Sequence, residues 1–257
     1  MNFKTVDSYR DFDRAVRSEF RYARTLEQDS FLKAVSETSH SRSLTLNAGY
    51  VLWRAQLGHG WRKVEQDGVS FEVPTAYPRE RMKPLSDKAS DGRANPKGIA
   101  CLYLATQKET AVLEVRPLIG SYVSVAQFKV LKDLRLVDCS APEIGNLVRF
   151  LKKDCTQEEI EKIGWSDINS AFSEPVERSD DSLDYVPTQI ITETFKLDGF
   201  DGVAYKSSYG ESGFNVALFD VTMADVINYG LYRIKDVSVT LSEQEETYFV
   251  KKYYDAP

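Results

Sequence analysis

The chain has 257 residues, 42% of them hydrophobic, 12% aromatic and 28% charged, which excludes wholesale disorder and a collagen-like polymer and supplies material for a substantial core. Its net charge of -6, from 33 basic and 39 acidic residues, repels phosphate backbones at long range and argues against direct nucleic-acid binding. No apolar run approaches the roughly 20 residues that cross a bilayer. The charged start MNFKTVDSYRDFDR lacks a signal-peptide core, so no membrane association and a cytoplasmic location are expected.

Residues 1–46 read as a helical arm. Tyr9, Phe12, Val16, Phe20 and Ala23 recur at spacings of three and four and share one helical face; a second short helix is expected over 30–36. The serine-rich SETSHSRSLTLNAG breaks the pattern near 36–48, and the main domain is expected to span 47–257. Residues 50–56 (YVLWRAQ) are strand-like. The stretch 58–98 is long, irregular and rich in Pro, Gly and charge, the kind of loop that is either functional or disordered. Within it, residues 78–97 form a basic island with six basic and three acidic side chains. Residues 100–105 (ACLYLA) are another strand candidate. Thr106-x-x-Glu109 reads as a capping box that opens a helix through Arg116, and Pro117 helps to stop it.

Residues 122–130 and 134–138 read as strands, and 143–172 as two helices, the second opened by Thr156. The acidic run EPVERSDDSLD at 174–184 reads as a solvated loop. Pro187 at a first-turn position opens a helix that ends near Gly199. Residues 202–206 and 215–220 read as strands joined by a Gly/Ser loop, and a final strand is expected over 236–241. Strands interleaved with unequal helices predict an α+β architecture rather than a regular doubly wound sheet.

Scarcity narrows the chemistry. There are two histidines, His40 and His59, and three cysteines, Cys101, Cys139 and Cys155. The absence of C-x-x-C spacing and the odd count indicate neither a disulfide framework nor a metal site, and the thiols read as buried apolar groups. His59, in a Gly-flanked turn, reads as structural or exposed. No phosphate loop, dinucleotide fingerprint or serine-nucleophile elbow is present. What remains is arginine, tyrosine, glutamate and serine. Glu114, amid the apolar residues of AVLEV, must be exposed on a thin polar stripe, paired with a base such as Arg116, or kept for function. Arg93 sits in the DGRANPKG turn, Tyr103 alternates with Cys101 and Ala105, and Ser207 follows a strand in GVAYKSS. Each alone also fits a plain structural role: solvated arginine, core tyrosine, turn serine.

In order, these residues form a pattern. The run GRANPKGIACLYLATQKETAVLEVRP resembles the core motif of the RES domain, and the match continues through SYVSVAQF, LRLVDCS and DGFDGVAYKSSYGESGFNVALFD. Arg54 in YVLWRAQ matches an arginine on that family's first strand. The resemblance covers about residues 48–221. Insertions near 58–91 and 140–186 distinguish this chain from short members, and Ala94 stands where many members carry an aromatic.

The resemblance implies an ADP-ribosyltransferase-like fold: a bent, split β-sheet core with helices and a cleft for NAD, here preceded by the N-terminal helical arm. It implies cleavage of the nicotinamide–ribose bond of NAD+, as glycohydrolase or phosphorylase, in a bacterial toxin of a toxin–antitoxin pair. NAD+ would be the substrate, with no prosthetic group. The catalytic set would be Glu114, Arg93, Tyr103 and Ser207. NAD-binding contacts would come from Arg54, Arg93, Tyr103, Tyr205, Ser207 and Asn215. Arg93 would carry the pyrophosphate charge, with Arg54 second. Tyr103 would offer a ring and an orienting hydroxyl, and Ser207 would either bond the ribose or position Glu114. An Xre-type antitoxin covering the cleft is the implied partner, and the arm would bind it, cover the cleft or mediate a homodimer. Alternatives are a mono-ADP-ribosyltransferase acting on a protein and a non-catalytic nucleotide- or partner-binding module.

Overall fold

A computed structural model describes residues 2–85, 89–142, 144, 155–175, 182–209 and 213–238. The chain begins with α1 (Ser8–Ser18) and α2 (Leu26–Ser39). Tyr9, Phe12 and Val16 are buried as their spacing requires. The helix stops at Ser18, however, so Phe20 and Ala23 fall beyond it and Phe20 is 54% exposed. Helix α2 is longer than expected because Thr25 and Gln28 form a reciprocal capping box upstream of Ser30.

Ten strands follow among the described residues: β1 (Ser43–Leu46), β2 (Val51–Leu57), β3 (Gly60–Gln66), β4 (Val69–Thr75), β5 (Leu102–Ala105), β6 (Tyr122–Val130), β7 (Leu134–Asp138), β8 (Gly202–Lys206), β9 (Phe214–Leu218) and β10 (Ala224–Arg233). Between them lie α3 (Arg79–Met82), α4 (Lys108–Glu114), α5 (Gln157–Ser173) and α6 (Val186–Leu197). Eight strands form one sheet in the order β1-β7-β8-β9-β5-β2-β6-β10. Only β7 and β8 run parallel among its named pairs, as the helical crossover through α5 and α6 allows. The architecture is α+β, as expected, and the sheet is split. Its halves meet at β2 and β5 through a single register pair, Trp53↔Ala105.

Both faces of the sheet are covered, which is why its strands read as nearly continuous apolar runs. On one face Val137, Val203 and Ala217 pack with Trp165, Ile168, Phe172 and Phe195 of the helices. Phe3, Tyr9, Phe12 and Phe31 belong to the same cluster, so α1 and α2 share this core. On the other face Leu136, Ala204, Val216 and Leu218 pack with Leu52, Phe128 and Met82. Helix α5 carries the capping box Thr156/Glu159, and Pro187 sits in the first turn of α6. Cys101 and Cys139 are buried free thiols, whereas Cys155 is only half-buried.

Several expectations are corrected. The 58–98 stretch contains the β3–β4 hairpin, turned at Asp67-Gly68 with φ of 52° and 76°, the backbone of a two-residue hairpin turn. The serine-rich segment holds β1, an edge strand paired with β7. Thr106 does not cap α4, whose N-cap is Gln107 without a side-chain bond. Its Oγ1 instead accepts the Phe214 N–H at 3.1 Å, because that strand end arrives beside it. Strand β10 was not expected at all, and residues 236–238 form no strand. The first helix expected within 143–172, most of the acidic loop and residues 239–241 lie outside the described residues.

Candidate active site

The site opens at the split in the sheet. A cleft of about 260 Å³ is lined by Trp53, Arg54 and Ala55 of β2, Tyr103–Ala105 of β5, Glu114 beyond them, Gly92 and Arg93, and Tyr185, Tyr205 and Asn215.

Glu114 ends α4, and its side chain is exposed to the cleft. Its Oε1 accepts two hydrogen bonds, from Ser207 Oγ at 2.7 Å and Asn215 Nδ2 at 2.5 Å. Both donors are buried, with 2% and 7% exposure, so the carboxylate is fixed by groups that cannot easily rotate away. Ser207 Oγ in turn accepts the Tyr209 N–H at 3.0 Å. Glu114 Oε1 is the nearer acceptor for the Ser207 hydroxyl, which also lies 3.2 Å from the Tyr209 carbonyl. Arg116 follows the helix at φ 47°, with its guanidinium 5.6 Å from the Tyr209 ring.

Close backbone packing sets the position of α4. A Cβ on Gly213 would sit 1.9 Å from Thr110 Oγ1 and 2.8 Å from Thr110 Cβ. Only glycine therefore lets β9 begin against α4, and this approach brings Asn215 within reach of Glu114.

Opposite stands Arg54. One guanidinium nitrogen donates to the Tyr103 carbonyl at 2.9 Å, while Nε is buried without a hydrogen-bond partner. No ion pair reaches it among the described residues, and burial lowers its pKa to about 10, so at neutral pH it is a charged group with no counter-ion.

Arg93 also lines the cleft, but its guanidinium is engaged. It donates to the carbonyls of Ala171, at 2.7 Å, and Glu174, the free carbonyl end of α5, where a cation is favoured. Three members of the basic island are engaged elsewhere: Arg79 and Lys83 both pair with Asp225, and Arg81 lies 4.0 Å from the Tyr77 ring.

Tyr103 presents its ring to the cleft and directs its hydroxyl away. That hydroxyl donates to Asn95 Oδ1 at 2.6 Å and accepts the Ala94 N–H at 2.9 Å, so it is not available to orient a ligand as expected. Asn95 is 2% exposed, and Gln189 of α6 donates to the carbonyls of Gly92 and Asn95, at 3.0 Å each. A Cβ on Gly92 would meet the tyrosine hydroxyl at 2.4 Å. Burial raises the phenol pKa of both Tyr103 and Tyr205, and the charge of Glu114 adds to it at Tyr205; both phenols are neutral. All seven residues expected at the site thus converge: six line the cleft and Ser207 holds Glu114 from beneath. Sequence reasoning missed Trp53, Tyr185, Asn95 and Gln189. Asn95 lies within the quoted GRANPKG, whereas Tyr185 carries no local signal.

A family model for the RES domain matches residues 52–241. The chain belongs to the RES-domain family. No curated protein matches it. Among solved structures it is similar to a chain of the M. tuberculosis MbcT–MbcA toxin–antitoxin complex, with 13% identity, a TM-score of 0.40, and coverage of 78% of this chain and 92% of that one. The RES match begins in β2, so α1, α2 and β1 precede it although they share its core and sheet. No helix among the described residues is long and apolar enough to cross a membrane.

Proposed function

We propose that this RES domain cleaves the nicotinamide–ribose bond of NAD+, passing the ADP-ribosyl group to water or inorganic phosphate. The observation that carries this reading is the pair of separately held opposite charges in one cleft. Glu114 is fixed by two buried donors, and Arg54 lacks a counter-ion. Arg54 would take a phosphate of the pyrophosphate, supplying the partner that its buried charge lacks. Arg93 would hold the loop that carries it, with its remaining N–H groups as a second contact. The bond between the ribose C1′ and the nicotinamide ring nitrogen breaks, and its electron pair neutralises the pyridinium. The leaving group therefore requires no proton donor. Glu114 would stabilise the positive charge developing at C1′. The acceptor oxygen then bonds C1′ and releases its proton to solvent. This economy suits a cleft without histidine.

The test is incubation of the purified protein with NAD+, with and without inorganic phosphate, and identification of products by mass. Nicotinamide with ADP-ribose means hydrolysis, and ADP-ribose-1″-phosphate means phosphorolysis. A mass increase on a co-incubated protein would replace the reading by ADP-ribosyl transfer, and intact NAD+ would leave a binding module. A toxin role and an Xre-type antitoxin that covers the cleft belong to the same proposal and rest on family membership.

Gly213→Ala tests how the carboxylate is placed. The added methyl collides with Thr110, so α4 must shift, and a displacement near 1 Å lowers turnover about 100-fold. Thr110→Ala in the same chain removes the colliding atoms and is expected to recover most of the rate. Unchanged kinetics in Gly213→Ala would show that this packing does not set the position of Glu114.

A further inference from the structure

Helix α1, which precedes the RES match and packs in the same core as α6, also makes an ionic contact to the turn that opens α6. Arg17, in the last turn of α1, donates from Nε to Asp13 Oδ1 at 2.8 Å and from a terminal nitrogen to Asp184 Oδ1 at 2.5 Å. The side chains are 34% exposed for Arg17 and 40% for Asp184, so the contact is partly shielded from solvent. Asp184 belongs to the 3-10 turn Ser182–Tyr185 at the start of α6. The next residue, Tyr185, lines the cleft, and the Arg93 guanidinium lies 5.8 Å from its ring centroid. Its carbonyl accepts the Thr188 hydroxyl at 3.0 Å, which ties the turn to α6. At the arginine itself the chain has only Ala94, which is 1% exposed within the core. The aromatic surface beside Arg93 is therefore Tyr185, supplied by a different segment.

We propose that α1 is a positioning element of the cleft: Arg17 holds Asp184, which places the Tyr185 ring beside Arg93 as the stacking face for an aromatic heterocycle of the dinucleotide. This rests on the NAD+ reading above. Tyr185 is then a binding residue and Arg17 a positioning residue that never touches the ligand. As a mere surface ion pair, Arg17–Asp184 would contribute little to stability, and its loss would leave kinetics alone.

The test is a double-mutant cycle in steady-state NAD+ turnover, with thermal melts on every variant. Arg17→Met keeps the aliphatic stem and loses the charge. It is expected to raise KM for NAD+ about five- to tenfold, the range of one aromatic contact, while kcat and Tm stay near wild type. Arg17→Lys should restore much of the affinity. Tyr185→Leu should raise KM at least as far, and adding Arg17→Met to it should do nothing more. Unchanged KM in Arg17→Met, or multiplicative effects in the double variant, overturns the tether while leaving the NAD+ reading intact. A fall in Tm with unchanged KM also overturns it and makes the pair purely structural. Absence of turnover in the wild-type protein removes the reading and the tether together.

Discussion

Glu114→Gln is expected to reduce NAD+ turnover about 100- to 1,000-fold, the loss seen when one preorganised charge-stabilising group leaves an active site. The substitution is nearly isosteric. Ser207 and Asn215 can still donate to the amide oxygen where they now donate to Oε1, so position is retained and only charge is removed. Because the side chain is exposed to the cleft, the melting temperature should move by less than about 2 °C. The fall should appear in kcat rather than KM, since the carboxylate acts on charge that develops after binding. Progress curves for nicotinamide release beside a thermal melt decide it, and a variant that turns over at the wild-type rate would remove Glu114 from the mechanism.

Arg54→Met is expected to do two opposite things. Burial pulls this guanidinium from 12.5 to about 10. A folded pKa below the unfolded one means the folded state carries a cost throughout the range below about 10, relieved only between 10 and 12.5 as the proton leaves. Fully buried, that cost would be about 3 kcal/mol. Solvent in the cleft and loss of the bond to the Tyr103 carbonyl bring the net gain on substitution to about 1 kcal/mol. The variant should therefore melt about 2–4 °C higher at neutral pH, and this advantage should shrink above pH 10. Its kcat/KM for NAD+ should fall about 10- to 100-fold, the worth of one or two charge-assisted bonds to phosphate. A protein more stable yet less active marks a residue retained for its ligand. If Arg54→Met loses stability and keeps its affinity for NAD+, the arginine is structural and Arg93 resumes the phosphate role.

How legible this was in sequence depended on whether the signal was local. Strands β5 to β9 were readable because burial leaves apolar runs between clear breaks, β2 from its alternating YVLWRAQ, and α6 from Pro187 at its start and Gly199 past its end. The β3–β4 hairpin was not: WRKVEQ is mostly exposed, so no buried face imposes alternation, although Asp67-Gly68 marks the turn. Strand β10 was missed because Asn228 and Gly230 interrupt its pattern, and its register slips between Val226 and Asn228. At the site, residue types and order were visible through the family resemblance, but the division of labour was not. Arg93 is bonded to carbonyls 78 and 81 positions away, whereas Arg54 donates to the Tyr103 carbonyl and leaves its Nε buried without a partner. No local pattern distinguishes the two.

The single pair between Trp53 and Ala105 has a further consequence. Strand β2 is fully laddered to β6 on its far side, and β5 to β9, but across the seam between them the register holds one pair, Trp53↔Ala105. The Tyr103 carbonyl of β5 receives Arg54. The protein thus keeps an open strand edge in the middle of its sheet, where another chain cannot add to it and seed aggregation. Under the proposed reading, the same edge is where main-chain groups of β2 and β5 would meet a ligand in the cleft. Recognition built on main-chain groups survives side-chain substitution, so under the proposed NAD+ reading a ligand seated at this edge would owe part of its binding to the pairing order of the sheet.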